Sequence, residues 1–202
     1  MTVDQITQRI LSRVCQINSE RFRNKTLYPN EQAQVVEVGN KMQELRLIID
    51  EAPALGVDTV RAKIAQSKPD AIFLDYLGLM RATERKGRAG WEMTREITGG
   101  LKALAKETNA VMIAMVQLNR ATDKQTGRPT LSDLYGGSAV ESDADGVLFL
   151  WPDKDDRPLS GNDYRPATVI VAKNRHGMTR DLLYNWQPQY HRYTEVTKQY
   201  GE

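Results

Sequence analysis

Hydrophobic spacing divides the chain into a helical first quarter and a longer stretch in which strands alternate with helices. Ile6, Ile10, Leu11 and Val14 recur at three- and four-residue steps, the spacing of one helix face. A break at Leu27-Tyr28-Pro29 follows, and the stretch from Asn30 to Leu45 reads as a second helix, so residues 1–46 are expected to form two helices. Beyond them the period shortens. Six runs rich in Val, Ile, Leu and Phe read as strands: RLIID (46–50), AIFLDYL (71–77), AVMIAMVQL (110–118), GVLFLW (146–151), ATVIVAK (167–173) and LLYNW (182–186). Several are apolar on both faces, as strands buried between two helical layers are.

The connections set the expected topology. Gly56-Val57-Asp58 leads into TVRAKIAQSK, which starts like a helix and stops at Lys68-Pro69, while Trp91 to Glu107 places Ile97, Leu101, Leu104 and Ala105 on one face. Helix and strand alternate up to about residue 118, which predicts a parallel sheet. Short links between the last three strands predict an antiparallel extension. The expected fold class is α/β, a mainly parallel sheet flanked by helices with an antiparallel C-terminal extension. The loops 81–90, 119–138 and 152–166 are long, and long loops without regular structure are often functional.

Composition narrows the classes. At 202 residues, 40% apolar and 27% charged, the chain fits one soluble globular domain. Lys and Arg number 28 against 26 Asp and Glu, so a nucleic-acid partner has to be sought in local clusters rather than in the net charge of +2. The single Cys15 excludes an internal disulfide, and with only His176 and His191 beside it there is no zinc-site spacing. The N-terminal MTVDQITQRILSRV is amphipathic rather than continuously apolar, and nowhere do about 18 apolar residues run together. Neither export nor membrane spanning is expected; the expected setting is the cytoplasm of a bacterial or virus-infected cell.

Candidate chemistry lies at the strand ends. Ile72-Phe73-Leu74-Asp75 is an apolar strand ending in a carboxylate, the arrangement by which nucleotide hydrolases hold a hydrated Mg²⁺. A strand-terminal Asp also serves as a cap or loop residue. The next strand ends in Gln117-Leu118-Asn119-Arg120, at the same sheet edge as Asp75 if the two strands are parallel neighbours. Gln117 there can sense a γ-phosphate or its attacking water and pass that state to the loop behind it. The alternative is a polar strand end facing solvent. Gly136-Gly137 permits the close backbone approach that phosphate contacts need. Arg81, Arg85, Lys86 and Arg88, opposed only by Glu84, form a basic loop that either tracks phosphates in a salt-dependent way or is simply solvated.

Taken together these pieces form an ordered set. Asp75-Tyr76-Leu77-Gly78-Leu79-Met80 resembles the Walker B segment of DnaB-type replicative DNA helicases. LKALAKE (101–107), QLNR (117–120), SDLYGGSAVESDAD (132–145) and KNRHG (173–177) follow in that family's order and spacing. The resemblance runs from Met1 to about Tyr193. It implies an incomplete RecA-like motor domain over 1–193, helical in 1–46 and α/β in 47–193, with a polar tail at 194–202. It also implies ATP and Mg²⁺ as cofactors of the assembled enzyme, Asp75 in the Mg²⁺ shell, and Gln117 coupling nucleotide state to DNA-binding loops. Lys173 and Arg175 match the basic pair that such ring helicases insert into the ATP site of the neighbouring subunit, with Arg175 as arginine finger. Asp133 to Ser138 lies where the family has a central-channel loop on single-stranded DNA, which implies contacts from Tyr135, Gly136, Gly137 and Ser138. Tyr135 stands where the family commonly has Arg, and Gly136 where it commonly has Glu. The main-chain contacts are preserved by this departure, and the basic side chain is replaced by a ring able to stack on a base. The cluster Arg81, Arg85, Lys86 and Arg88 becomes a second DNA surface. Implied partners are single-stranded DNA, neighbouring subunits of a ring oligomer, and a primase or helicase loader.

One motif of the resembled family is missing. No G-x-x-x-x-G-K-[ST] occurs in the 202 residues. In the family that loop lies upstream, followed by a strand ending in a catalytic Glu and a Met that opens the next helix, and MTVDQITQRI resembles what begins at that Met. The chain is therefore expected to lack the phosphate cradle and general base, to be inactive as an ATPase alone, and to expose apolar sheet edges unless something covers them. A split gene with a separate Walker A-containing fragment, a misassigned start or truncation, and a stand-alone regulator of helicase rings all fit. Two rival readings stay open: a non-catalytic module that binds DNA or helicase rings, and another RecA-like relative such as a recombinase or circadian-type ATPase.

Overall fold

The computed structural model describes residues 1–83, 90–119, 127–152 and 163–196. They fall into two compact units, one gathering Met1–Glu51, Leu150–Ile170 and the chain from Asp181, the other Ala52–Phe149 with Val171–Arg180.

In the first unit, α1 (Val3–Cys15) opens on a capping box, in which the Thr2 hydroxyl accepts from the Gln5 N–H while the Gln5 side chain accepts from the Thr2 N–H. Two orphan donors of the first turn are thereby satisfied. Asn18 caps a separate short helix, α2 (Ser19–Arg23), so three helices stand where the hydrophobic spacing predicts two. The third, α3 (Pro29–Gln43), has Pro at its first position, where no amide hydrogen is needed. Ser12, Cys15 and Ile17 are buried, and the Ser12 hydroxyl donates to the Ile17 carbonyl at 2.7 Å. Burial pushes the Cys15 thiol up, which keeps it neutral and makes it a packing residue.

The run RLIID is not a strand. Residues 46–50 are irregular, Leu47 and Ile48 are exposed, and no strand among the described residues pairs with them. A strand is held by a neighbouring strand that takes its backbone N–H and C=O groups, and no described strand does so here.

The second unit starts with α4 (Val57–Ser67), followed by β1 (Ala71–Leu74), α5 (Gly90–Thr108) and β2 (Val111–Ala114). The strands β1 and β2 pair in parallel with Leu74 opposite Ala114, and α5 lies between them in the chain, as a parallel pair requires. Val60 and Ile64 of α4, Leu104 of α5, and Ile72 and Met112 from one sheet face form the core between helices and sheet. Helices α4 and α5 approach closely, since a Cβ on Gly100 would lie 3.0 Å from Val57 Cγ1. On the opposite sheet face Phe73, Val111, Ile113 and Met115 are 65%, 60%, 41% and 43% exposed. The expected burial between two helical layers is met on one face only.

Helix α6 (Gly137–Asp143) packs on α5. The remaining strands are β3 (Gly146–Pro152), β4 (Arg165–Asn174), β5 (Arg180–Gln187) and β6 (Arg192–Glu195), in the order β3–β4–β5–β6. In β3 the side chains alternate, Val147 and Phe149 buried and Leu148 and Leu150 exposed. Strand β6 runs antiparallel to β5 with Trp186 opposite Tyr193, whose rings stack at 4.2 Å between centroids. The antiparallel extension is thus present and one strand longer than expected. No helix among the described residues is long and apolar enough to cross a membrane.

Candidate functional site

Because β1 and β2 are parallel, their carboxyl ends share one sheet edge. The ladder continues past both strands: the Met115 N–H donates to the Leu74 carbonyl at 2.9 Å, and the Leu77 N–H donates to the Met115 carbonyl at 2.9 Å. Asp75 and Gln117, both exposed, stand just beyond these bonds. The condition placed on them by the sequence, parallel neighbouring strands, is met. After the 3-10 turn Leu77–Leu79 the chain is pinned again, as the Arg81 N–H donates to the Leu55 carbonyl at 3.0 Å. Arg85, Lys86 and Arg88 of the basic cluster lie outside the described residues, as does Arg120.

Past β2 the backbone zips onto a second segment. The Asn119 N–H donates to the Asp133 carbonyl at 2.7 Å and the Tyr135 N–H to the Gln117 carbonyl at 3.0 Å, around an antiparallel bridge between Leu118 and Leu134. A capping box holds the turn before it, where Asp133 Oδ2 accepts from the Thr130 N–H at 2.7 Å. Leu134 is buried and its neighbour Tyr135 exposed, so the ring is displayed beside Gln117 by a fixed backbone. Gly136 has φ +79°, and a Cβ there would come 2.5 Å from Thr94 Cγ2 on α5. Gly137 and Ser138, expected in a loop, are instead the first residues of α6. The correction follows from apolar Ala139 and Val140, which are buried and draw the segment into a helix.

Lys173 and Arg175 meet the other end of that helix. The Lys173 ammonium donates to the Glu141 carbonyl, and Arg175 Nη2 donates to the Ser142 carbonyl at 3.0 Å. Two of the last carbonyls of α6 are thereby satisfied by cations, the favoured charge at a helix C-terminus. Arg175 Nη1 pairs with Asp145 Oδ1 at 3.1 Å, and the Arg175 N–H donates to the Asp145 carbonyl at 2.8 Å. From α5, Lys102 pairs with Asp145 and the Thr98 hydroxyl donates to Asp143 Oδ2 at 2.5 Å. The Lys102 hydrogen bond holds the Asp145 carboxyl below its usual value, with the charges of Lys102, Arg175 and His176 adding to it. Sequence reading passed over Thr98, Lys102, Asp143 and Asp145. All four lie within quoted motifs or their flanks, yet their pairing joins positions 43 and 45 residues apart and exists only in the fold.

A metal can be tested against these donors. Among the described residues no three His, Cys, Asp or Glu side chains come together to hold an ion. Nucleotide-bound Mg²⁺ takes one or two carboxylates and fills its shell with phosphates and water, so a lone exposed Asp75 suits that role and not a protein-only cage.

A profile of the DnaB-like helicase C-terminal domain matches residues 1–195. The chain belongs to this family. The replicative DNA helicase DnaB of Rickettsia prowazekii (strain Madrid E) is 30% identical over 219 aligned residues, covering 98% of this chain and 45% of that protein. DnaB of Geobacillus stearothermophilus is 28% identical over 207, covering 100% and 45%. The chain therefore spans under half the length of these relatives. A solved DnaB-like replicative helicase, described with its interactions with primase, superposes with a TM-score of 0.86 at 23% identity over 98% of this chain and 49% of that one. A solved ATPase domain gives the same TM-score and identity over 98% and 72%. Both the α/β RecA-like fold and the DnaB-type kinship expected from motif order are borne out.

Proposed function

We propose that the chain is the rear part of the motor of a ring-shaped, ATP-driven replicative DNA helicase. Asp75 supplies the carboxylate for nucleotide-bound Mg²⁺, and Gln117 senses nucleotide state. Tyr135, Gly136, Gly137 and Ser138 touch one DNA strand, with Arg81, Arg85, Lys86 and Arg88 as a second DNA surface. Lys173 and Arg175 serve the nucleotide site of the neighbouring subunit, and a primase or loader binds the assembled ring. Bound ATP with Mg²⁺ supplies the phosphoryl group; the protein's share is positioning and charge stabilisation.

The observation that carries this reading is the bond from the Tyr135 N–H to the Gln117 carbonyl. It makes the sensing residue and the DNA-facing residue neighbours on one backbone ladder. A small shift of Gln117 with nucleotide state is then a shift of Tyr135. The glycine-rich phosphate loop, absent from these 202 residues, has to be contributed by other residues, and the chain by itself is not expected to hydrolyse ATP.

The test mixes the chain with a separately expressed segment bearing that loop and measures DNA-stimulated ATPase. Activity is expected from the mixture and from neither part. Arg175→Ala should reduce it by about a thousandfold or more, the scale of an arginine finger. No gain from two folded, associated pieces sinks the reading.

A further inference from the structure

Asp145 bridges two cations from separate elements. Its carboxylate lies on the irregular stretch between α6 and β3 and receives Lys102 from α5 on one side and Arg175 from the turn after β4 on the other. Around it the end of α6 is clamped twice more, by the Thr98 hydroxyl on Asp143 and by the Lys173 ammonium on the Glu141 carbonyl. Thr98 and Lys102 are four residues apart and so lie on one face of α5. Arg175 itself is about half exposed. Of the five N–H donors on a guanidinium, two are engaged here, by Asp145 and by the Ser142 carbonyl. The other donors have no hydrogen-bond partner among the described residues, on a side chain that stays about half exposed.

We infer that Asp145 is the positioning residue for Arg175: with Lys102 it fixes the guanidinium at the end of α6 so that its unused donors are presented to an anionic group on a neighbouring molecule. A long, rotamer-rich side chain that must act on another subunit loses less freedom on docking when it is already held. The same clamp connects this arginine to the sensing end of the site. Helix α6 begins one residue after Gly136, beside the Tyr135–Gln117 bond, and ends on the carbonyls that Lys173 and Arg175 grip. A single seven-residue helix therefore lies between the Gln117 bond and the residues that hold Arg175.

This proposal rests on the trans-acting role given to Arg175, and the experiment separates the two. In the intact 202-residue chain, phenylglyoxal modification of Arg175 is followed by peptide mass spectrometry, with Arg61 as internal reference. Asp145→Asn should speed modification of Arg175 about threefold, the scale of losing one exposed ion pair. Arg61 should be unchanged, and Asp145→Glu should restore the parent rate. An unchanged rate at Arg175, equal acceleration at both arginines, or failure of Glu to rescue overturns the positioning role. In an ATPase-competent mixture, Asp145→Asn should lower kcat by about tenfold or more with KM for ATP unchanged, as for a misplaced catalytic group. An unaffected kcat, in a mixture that Arg175→Ala inactivates, also overturns it. If Arg175→Ala has no effect there, the trans-acting assignment itself falls, and the labelling result alone decides whether Asp145 holds the arginine.

Discussion

Gly136 answers to two constraints at once. Its φ of +79° is a conformation that side chains other than glycine's adopt at a cost, and the space where a Cβ would go is held by Thr94 Cγ2 at 2.5 Å. Gly136→Ala is expected to lower stability by about 2 kcal/mol or more, with the midpoint read in urea. Asp145 offers a second test at this scale, through pH. Its carboxyl is depressed in the folded chain by Lys102 first and by Arg175 and His176 with it. Such a group adds stability in full above the usual carboxylate range, and the contribution is lost as pH falls from that range through the depressed value. Asp145→Asn should therefore be less stable than the parent at neutral pH, and the gap should close in acid. A gap that persists to strongly acid pH would argue against the ion pairs as its cause. The two residues differ in how far the sequence revealed them. Gly136 stands out by its glycine pair and motif, whereas Asp145 becomes visible only once α5, α6 and the end of β4 meet.

Among elements, those with strong internal periodicity were legible and those made by their surroundings were not. Helix α5 (Gly90–Thr108) closely follows the Trp91–Glu107 stretch expected from Ile97, Leu101 and Leu104. Its fully buried Leu104 anchors the packing of α4 and the β1–β2 face. Leu104→Ala should cost about 2–5 kcal/mol, measured by thermal or urea unfolding, because the cavity sits between elements that cannot all collapse into it. By contrast the start of α6 falls in the loop expected to end at 138, since Gly137 and Ser138 are poor helix formers and only burial of Ala139 and Val140 makes the turn worthwhile. Strand β6 has two charges in four residues, Arg192 and Glu195, and is recruited by the free edge of β5 and by Trp186 stacking on Tyr193. The candidate site followed the same rule. Asp75 and Gln117 were placed at one sheet edge by strand order alone, while the clamp on Arg175 required the tertiary fold.

At the scale of the molecule, what stands out is apolar surface where an α/β sheet would ordinarily have cover. Phe73, Val111, Ile113 and Met115 share one face of the β1–β2 pair, and no third strand joins that pair among the described residues. Such a face promotes self-association. Phe73→Thr combined with Ile113→Thr should reduce concentration-dependent light scattering and leave the unfolding midpoint nearly unchanged, since both side chains are already in contact with water. A large loss of stability would show instead that these residues are packed. The run RLIID belongs to the same account. With strand chemistry and no paired strand among the described residues, its amides at 46–49 are expected to exchange quickly with deuterated solvent. The segment is in that sense a blank page. Any molecule that lays a strand along it will leave a record there, amide by amide, in how long the hydrogens stay.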